Sequence, residues 1–194
     1  TGTGPTTGSH WEQATNTLKY MVFENPAWDF RTFDYDRDVA FADRKLGALM
    51  NAFDPDLSRL RKRGGKLLLY HGWNDPSISP QNTVNYYESA VARWREQEKA
   101  PASTAPDFIR LFMVPGMLHC SGGPGADQFD ALTALERWVE QGDAPETLRA
   151  SKVVNGAAVR TRPLCAYPKV AVYSGTGSTD DAANFSCRMP LSGR

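Results

Sequence analysis

The sequence predicts an α/β fold in which a parallel sheet is connected by helices. Two apolar segments, at residues 66–72 and 108–114, have the composition of buried strands. An amphipathic segment lies between them and another follows the second strand. Strand, helix, strand, helix in this order is typical of parallel strands joined by helical crossovers. With 194 residues, the chain is long enough to bury a sizeable core.

The elements up to the crossover helix follow from local signals. A helix is predicted from about Asp36 to Asn51, since the acidic residues suit its positive N-terminal end. The first strand, KLLLYHG, ends at Gly72, and the loop WNDPSISP follows with Asp75. Ser79 is a candidate N-cap of the crossover helix, with proline as its first residue. The apolar face of this helix is predicted to be Val84, Tyr87, Val91 and Trp94.

The second strand leads into a glycine-rich loop and a further helix. FIRLFMV ends at Val114, and the loop PGMLHCSGGPG carries His119. Asp127 is a candidate cap for the next helix. From Ser151 the chain has short β-like segments, turns and two cysteines, which predict an excursion packed on the edge of the domain. The buried stripe of the second helix is predicted to be Phe129, Leu132, Leu135, Trp138 and Val139.

Charge and hydropathy exclude several classes of partner. Lysine plus arginine and aspartate plus glutamate both number 22, so the formal net charge is zero. This balance predicts no nucleic-acid partner and no basic membrane-surface role. No apolar run approaches the roughly 18 residues of a membrane span, so no membrane partner is predicted either.

Asp75 and His119 are the candidate catalytic residues. Each directly follows an apolar strand, and polar groups at the carboxyl ends of parallel strands gather at one edge of a sheet. In α/β-hydrolase sheets the acid and the base of a Ser, Asp, His triad come last, in that chain order. The sequence therefore predicts a triad acid at Asp75 and a triad base at His119.

Each histidine and the acid also have a structural interpretation. Asn-Asp-Pro is ordinary turn chemistry, so Asp75 considered alone indicates a turn. His119 can equally be a loop residue that is hydrogen-bonded to backbone. His71, on the strand before the acid, is predicted to support the acid loop rather than to carry chemistry. Nothing in the sequence indicates that His10 is a site residue. The spacing of the possible ligands matches no recognised zinc site; these are His71, Asp75, His119 and Cys120.

A serine nucleophile is the missing part of this triad. The sequence contains no G-x-S-x-G motif, and Ser121 follows the histidine instead of preceding the acid. Cys120 could be a nucleophile beside its own base, giving a third possible function, that of a cysteine hydrolase. Neighbouring side chains in an extended loop point apart, however, so His119 is badly placed to deprotonate it. A disulfide to a partner outside this chain fits Cys120 better. Cys165 and Cys187 can pair with one another or remain as two buried thiols.

The sequence resembles the tannase and feruloyl esterase family of α/β-hydrolases, over about Trp28 to Cys187. The resemblance is carried by the segments WDFRTFDYDRDVAFAD, GGKLLLYHGWNDPSISP, VPGMLHCSGGPG and YPKVAVYSGTGSTDDAANFSC. It implies that Asp75 is the triad acid and His119 the base. It also implies that Cys120 bonds a cysteine beside the nucleophilic serine, outside this chain, and that Cys165 bonds Cys187.

The resemblance further implies how the chain is organised. The fold class is then the C-terminal part of an α/β-hydrolase sheet, in the order strand, acid loop, helix, strand, histidine loop, helix, with a disulfide-bearing C-terminal excursion. Residues 1–53 are expected to be the end of a lid domain and the return segment, and residues 54–194 the C-terminal part of the catalytic domain. The family's calcium site lies in the lid, so no cofactor and no metal ligand are expected in this chain.

The predicted function is therefore that of a serine carboxylic ester hydrolase, acting on small esters of hydroxycinnamic or gallic type acids. The missing N-terminal part of the same enzyme would carry the serine, and alone this chain would be inactive. The resemblance and the disulfides imply a secreted or periplasmic protein. The alternative is a non-catalytic binding or structural module on a hydrolase scaffold, in which Trp73, Trp94 and the aromatic segment near Trp28 would form a carbohydrate- or phenol-binding surface. Packing in the core is the competing interpretation for Trp28 and Trp94.

Overall fold

A computed structural model describes residues 8–190, and the chain divides into two compact units between Phe53 and Asp54. The first unit is helical. Its elements are α1 (Ser9–Asn16), a π-helical segment (Thr17–Val22), a 3-10 turn (Phe30–Thr32) and α2 (Tyr35–Met50). That this unit is the end of a lid domain stays a prediction.

Helix α2 begins one residue earlier than the sequence pattern indicates. The Asp34 side chain accepts hydrogen bonds from the backbone N–H groups of Asp36 and Arg37, so it caps the helix and Tyr35 becomes its first residue. Lys45 on the same helix donates to the backbone oxygen of Val22 at 2.8 Å. This bond ties α2 to the segment that precedes it.

The second unit combines helices with three pairs of strands. The parallel pair β1–β2 forms its centre, and two antiparallel pairs follow in the chain. Their order confirms the predicted succession of strand, helix, strand and helix. The elements are α3 (Ser58–Lys62), β1 (Leu67–Gly72), α4 (Pro80–Glu98), β2 (Ile109–Val114), α5 (Ala131–Gln141), β3 (Thr147–Val154), β4 (Ala157–Cys165), β5 (Val170–Tyr173) and β6 (Phe185–Arg188).

The core of this unit lies between the central strands and the crossover helix. Strands β1 and β2 pair in parallel, with Leu67 opposite Ile109 and Gly72 opposite Val114. Every residue of β2 is buried. The predicted face of α4 is also buried, which confirms Trp94 as a core residue. Because the two strands are parallel and in register, the loops that follow them leave the sheet at the same edge.

Helix α5 differs from its prediction at both its start and its buried face. It begins at Ala131, because Asp130 accepts the N–H of Thr133 at 2.9 Å and caps the helix. Asp127 is therefore not the cap. The predicted stripe is also too wide, since Leu132 is 67% exposed and Val139 is 56% exposed. Trp138 is fully buried, and the cationic groups of Lys66 and Arg110 lie over its ring.

The C-terminal excursion packs on β2 as predicted. Ala166 bridges Phe112, and the backbone N–H of Tyr167 donates to Leu111 at 2.8 Å. Cys165, at the end of β4, forms a disulfide with Cys187 on β6. This bond confirms the pairing implied by the family resemblance. Across residues 8–190, no helix is both long enough and apolar enough to span a membrane.

Candidate active site

The Asp75 carboxylate lies in the loop after β1, and its side chain is only 2% exposed. One oxygen, Oδ1, accepts the backbone N–H groups of Ser77 at 2.7 Å and Ile78 at 3.0 Å. The other, Oδ2, contacts His119 Nδ1 at 2.7 Å and His71 Nε2 at 3.0 Å. The carboxylate is thus buried yet surrounded by nitrogen atoms on both oxygens.

These contacts keep the buried carboxylate ionised. Burial by itself raises the pKa of Asp75, but the hydrogen bonds from His119, from the N–H groups of Ile78 and Ser77, and from His71 outweigh it. The pKa of Asp75 is therefore well below its usual range, and the group is a carboxylate at neutral pH. Because a carboxylate only accepts hydrogen bonds, both imidazoles must donate to it.

His119 lies in the loop after β2, and its side chain is 53% exposed. Its Nδ1 atom donates to Asp75, so the neutral ring presents a lone pair at Nε2. Within residues 8–190, no protein group forms a hydrogen bond with Nε2. A carboxylate that fixes one imidazole nitrogen and leaves the other open to a reactant is the arrangement of a general base.

Close backbone contact at Gly72 brings the acid loop and the histidine loop together. A Cβ atom placed on Gly72 would overlap the backbone oxygens of Met117 and Leu118. Two hydrogen bonds join the same segments, from the Trp73 N–H to the Val114 oxygen at 2.9 Å and from the Asn74 N–H to the Met117 oxygen at 3.0 Å. Only glycine permits this approach, which sets how close the two loops can come.

A partly buried ion pair holds the far side of the histidine loop. Asp127 accepts the N–H of Gly122 at 2.7 Å and pairs with Lys152 on β3 at 3.1 Å. The Lys152 ammonium also donates to the backbone oxygen of Gly123 at 2.6 Å. Gly122 and Gly123 both have positive φ angles, so the loop folds back on itself just after the histidine. The pair therefore anchors the loop that carries His119.

Replacing Asp127 with asparagine is expected to remove a part of the stability that depends on pH. Burial raises the pKa of Asp127, but the hydrogen bond from the Gly122 N–H and the charge of the Lys152 ammonium together lower it by more. The pKa of Asp127 is therefore below its usual value. A lowered pKa contributes stability above the unfolded value of about 4, and this contribution is lost as the pH falls through the folded value. We expect Asp127→Asn to cost about 1–3 kcal/mol at pH 7.

The measurement is urea unfolding of both proteins between neutral pH and about pH 3. The difference in unfolding free energy should shrink steadily below about pH 4. Asp143→Asn is the matched control, since this exposed carboxylate makes only a 3.6 Å pair with Arg137. A difference that stays constant across the pH range would contradict the assigned role of the Asp127 charge.

The three cysteines occupy two different settings. Cys165 and Cys187 are joined within the C-terminal excursion. Cys120, next to His119, is exposed and forms no disulfide with the part of the chain described here. Its φ of 66° is a left-handed conformation that non-glycine residues seldom adopt. Its predicted disulfide to a partner outside this chain stays a prediction.

The structure brings Asp75, His119 and His71 together. Of the tryptophans considered for a binding surface, Trp73 is 44% exposed and Trp28 is half-buried. His10, in α1, belongs to the other unit. Sequence reasoning missed the remaining contributors to the site. Their only sequence signals are the glycine at the end of β1 and the glycines of the histidine loop, because nothing around the polar contributors in the sequence indicates contact with these loops. They are Gly72, Thr83, Asp127 and Lys152.

No group of three or more histidine, cysteine, aspartate or glutamate side chains suited to a metal ion occurs in residues 8–190. The expectation that the lid's calcium site lies outside this chain stays a prediction.

Comparison with known proteins identifies the family. The sequence profile described as "Tannase and feruloyl esterase" matches residues 1–188. An uncharacterized esterase from Xanthomonas campestris is 42% identical over 214 residues, covering 93% of this chain and 37% of that protein. A mono(2-hydroxyethyl) terephthalate hydrolase from Piscinibacter sakaiensis is 47% identical over 142 residues, covering 72% of this chain and 22% of that protein.

A solved structure agrees with these sequence matches. The crystal structure of feruloyl esterase B from Aspergillus oryzae superposes with a TM-score of 0.74 at 31% identity, covering 90% of this chain and 37% of that one. This similarity confirms the predicted α/β-hydrolase fold class. The chain spans little more than a third of the length of these relatives, or less. Its profile match and its identity to these proteins show that the chain belongs to the tannase and feruloyl esterase family.

Proposed function

We propose that this chain supplies the acid and the base of a serine carboxylic ester hydrolase, whose nucleophilic serine lies outside these 194 residues. One observation carries the proposal. His119 Nδ1 lies 2.7 Å from Asp75 Oδ2, and the histidine side chain is 53% exposed. A base held in this way has its second nitrogen directed to a reactant, while the acid remains buried.

The proposed reaction proceeds through an acyl-enzyme. His119 Nε2 takes the proton of the serine hydroxyl as the serine oxygen attacks the ester carbonyl carbon. The carbon–oxygen bond to the alcohol then breaks, and the alcohol leaves with the proton that Nε2 held. Water repeats these steps on the acyl group, which releases the acid and restores the serine. Asp75 holds the imidazole in the required tautomer and stabilises its cation.

The unpaired edge of the sheet supports the proposal that the nucleophile lies on a further segment of the polypeptide. Strand β1 pairs with β2 on one edge, and among residues 8–190 no strand pairs with its other edge. A parallel strand with an open edge is a site for further pairing. The relatives are about three times as long as the region they share with this chain, which also supports a larger catalytic domain.

The substrates we propose are small esters of aromatic acids, of the hydroxycinnamic or gallic type. This class follows the family description and the names of the relatives, a feruloyl esterase and a terephthalate monoester hydrolase. The disulfide between Cys165 and Cys187 supports an oxidising, secreted or periplasmic location. The proposed disulfide of Cys120 would join the histidine loop to the segment that carries the serine.

The test uses the full-length protein, meaning the complete translated product of the gene that encodes this chain. A fluorophosphonate probe, which labels activated serines, should modify one serine outside these 194 residues. Peptide mapping identifies that serine. Hydrolysis of methyl ferulate and methyl gallate should exceed hydrolysis of methyl esters of aliphatic acids of equal size.

Variants link the labelling to this site. His119→Ala should abolish both labelling and hydrolysis, whereas Asp143→Asn, an exposed change on the same unit, should leave both intact. Labelling that persists in His119→Ala would overturn the proposal. Tight binding of ferulic acid without any ester hydrolysis or labelling would instead establish the non-catalytic binding module.

A further inference from the structure

His71 contacts the same carboxylate oxygen as His119. Its Nε2 atom lies 3.0 Å from Asp75 Oδ2, and its Nδ1 atom lies 2.7 Å from the hydroxyl of Thr83. The His71 side chain is 13% exposed, so it approaches the acid from the interior, while the far more exposed His119 lies toward solvent. The result is a chain of hydrogen bonds from helix α4 to the base.

The donor and the acceptor of each hydrogen bond between Thr83 and His119 can be assigned. The ionised Asp75 accepts only, so His71 Nε2 must carry a proton and donate it. In the neutral ring His71 Nδ1 then offers a lone pair, which the Thr83 hydroxyl satisfies as donor. Asp75 therefore selects the tautomer of His71, while Thr83 satisfies the other ring nitrogen and orients the ring. The helix fixes Thr83, so the orientation is built into the fold.

Two imidazole donors on Oδ2 limit how the carboxylate can turn. The backbone N–H groups of Ser77 and Ile78 hold Oδ1. Without His71, Oδ2 would be held only by His119, the residue whose position matters for the chemistry. With His71 in place, the carboxylate plane is defined by groups that take no part in proton transfer. His119 then meets an acceptor that is already oriented.

We propose that His71, held by Thr83, is a positioning residue that acts through Asp75 to orient the base His119. This inference rests on the proposed function and deepens it. His71 is not itself a base, because both of its ring nitrogens are occupied by Thr83 and Asp75. Its contribution is to preserve the geometry that proton transfer requires.

Kinetics of the full-length protein test the hydroxyl of Thr83. Thr83→Val keeps the shape of the side chain and removes the donor, while Thr83→Ser keeps the donor. We expect Thr83→Val to lower kcat about 10- to 100-fold, the range for a lost hydrogen bond in a network with a charged group. KM should change less than about twofold, since Thr83 is proposed to act on the base through His71 and Asp75 and not by binding substrate. Thr83→Ser should restore most of the lost kcat.

A second readout does not depend on activity. The Nδ1 proton that His119 shares with Asp75 should give a far-downfield proton NMR resonance, because it lies in a short hydrogen bond to a carboxylate. In Thr83→Val and in His71→Phe this resonance should shift or broaden, whereas Thr83→Ser should retain it. Thermal unfolding midpoints establish that the compared variants are folded. If His71→Phe does not fold, Thr83→Val alone tests whether His71 positions the base.

The kinetic and NMR measurements distinguish failure of the positioning role from failure of the proposed function on which it rests. If the full-length protein hydrolyses no ester, the proposed function fails, while the NMR comparison still tests the positioning by His71. The positioning role is overturned if the resonance is unchanged in Thr83→Val and in any folded His71→Phe. It is also overturned if Thr83→Val retains wild-type kcat, or if Thr83→Ser is as impaired as Thr83→Val.

Discussion

Replacing Asp75 with asparagine in the full-length protein is expected to lower kcat roughly 10⁴-fold, the size of the effect that the same change has in serine protease triads. The reason lies in the four contacts of the carboxylate, all of which come from nitrogen atoms that donate. Backbone N–H groups face Oδ1, and the two imidazoles face Oδ2. The amide of asparagine adds two donors of its own to this set.

The asparagine amide has only one workable orientation. The N–H groups of Ser77 and Ile78 cannot become acceptors, so the amide oxygen must take the Oδ1 position. The NH₂ group then faces His119 Nδ1, which has to offer a lone pair instead of a proton. The proton of His119 moves to Nε2, so the ring loses the lone pair that a base needs. The variant should therefore fold but should not activate the serine.

Steady-state hydrolysis of methyl ferulate and fluorophosphonate labelling are the measurements for Asp75→Asn. Both should fall together, while circular dichroism should show an unchanged fold. Asp143→Asn controls for the loss of one carboxylate from the same unit. Retention of more than about a tenth of wild-type kcat would show that Asp75 does not orient the base, since a wrong tautomer leaves far less.

Replacing Gly72 with alanine is expected to damage both stability and catalysis. The new Cβ would overlap the backbone oxygens of Met117 and Leu118, and backbone atoms cannot move aside as a flexible side chain can. The acid loop and the histidine loop would have to separate. Overpacking of this kind costs about 1–3 kcal/mol of unfolding free energy. A shift of about 1 Å between acid and base can lower kcat about 100-fold.

The matched control for this change is Gly47→Ala, because its Cβ would meet only the Asn51 side chain at ordinary van der Waals distance. Gly47 lies within helix α2, where alanine is favoured by about 0.5–1 kcal/mol. Urea unfolding should therefore move in opposite directions for the two variants. If Gly72→Ala matches wild type in midpoint and in kcat, the close approach of the two loops is not what sets the site.

Local patterns account well for the elements that frame the site. Asp75 and His119 could be singled out because each directly follows an apolar strand, and parallel strands present their carboxyl ends at one edge. The cap of α5 shows where local patterns fail. Asp127 and Asp130 both precede the helix, but Asp127 is engaged by Lys152 and Gly122, so Asp130 caps instead. Nothing near Asp127 in the chain signals that competition.

By itself, the sequence determined the α/β class, the order of strands and helices, the candidate acid and base, and the family. These features rest on side-chain periodicity, on turn residues and on motifs that each lie within a few neighbouring positions. Only the tertiary structure decided that the two loops touch at Gly72, that Lys152 anchors the histidine loop, and that Thr83 orients His71. Those contacts join residues 12 to 46 positions apart, from Thr83 with His71 to Leu118 with Gly72. Their specificity comes from the packing of whole elements, for which a short segment of sequence carries no signal.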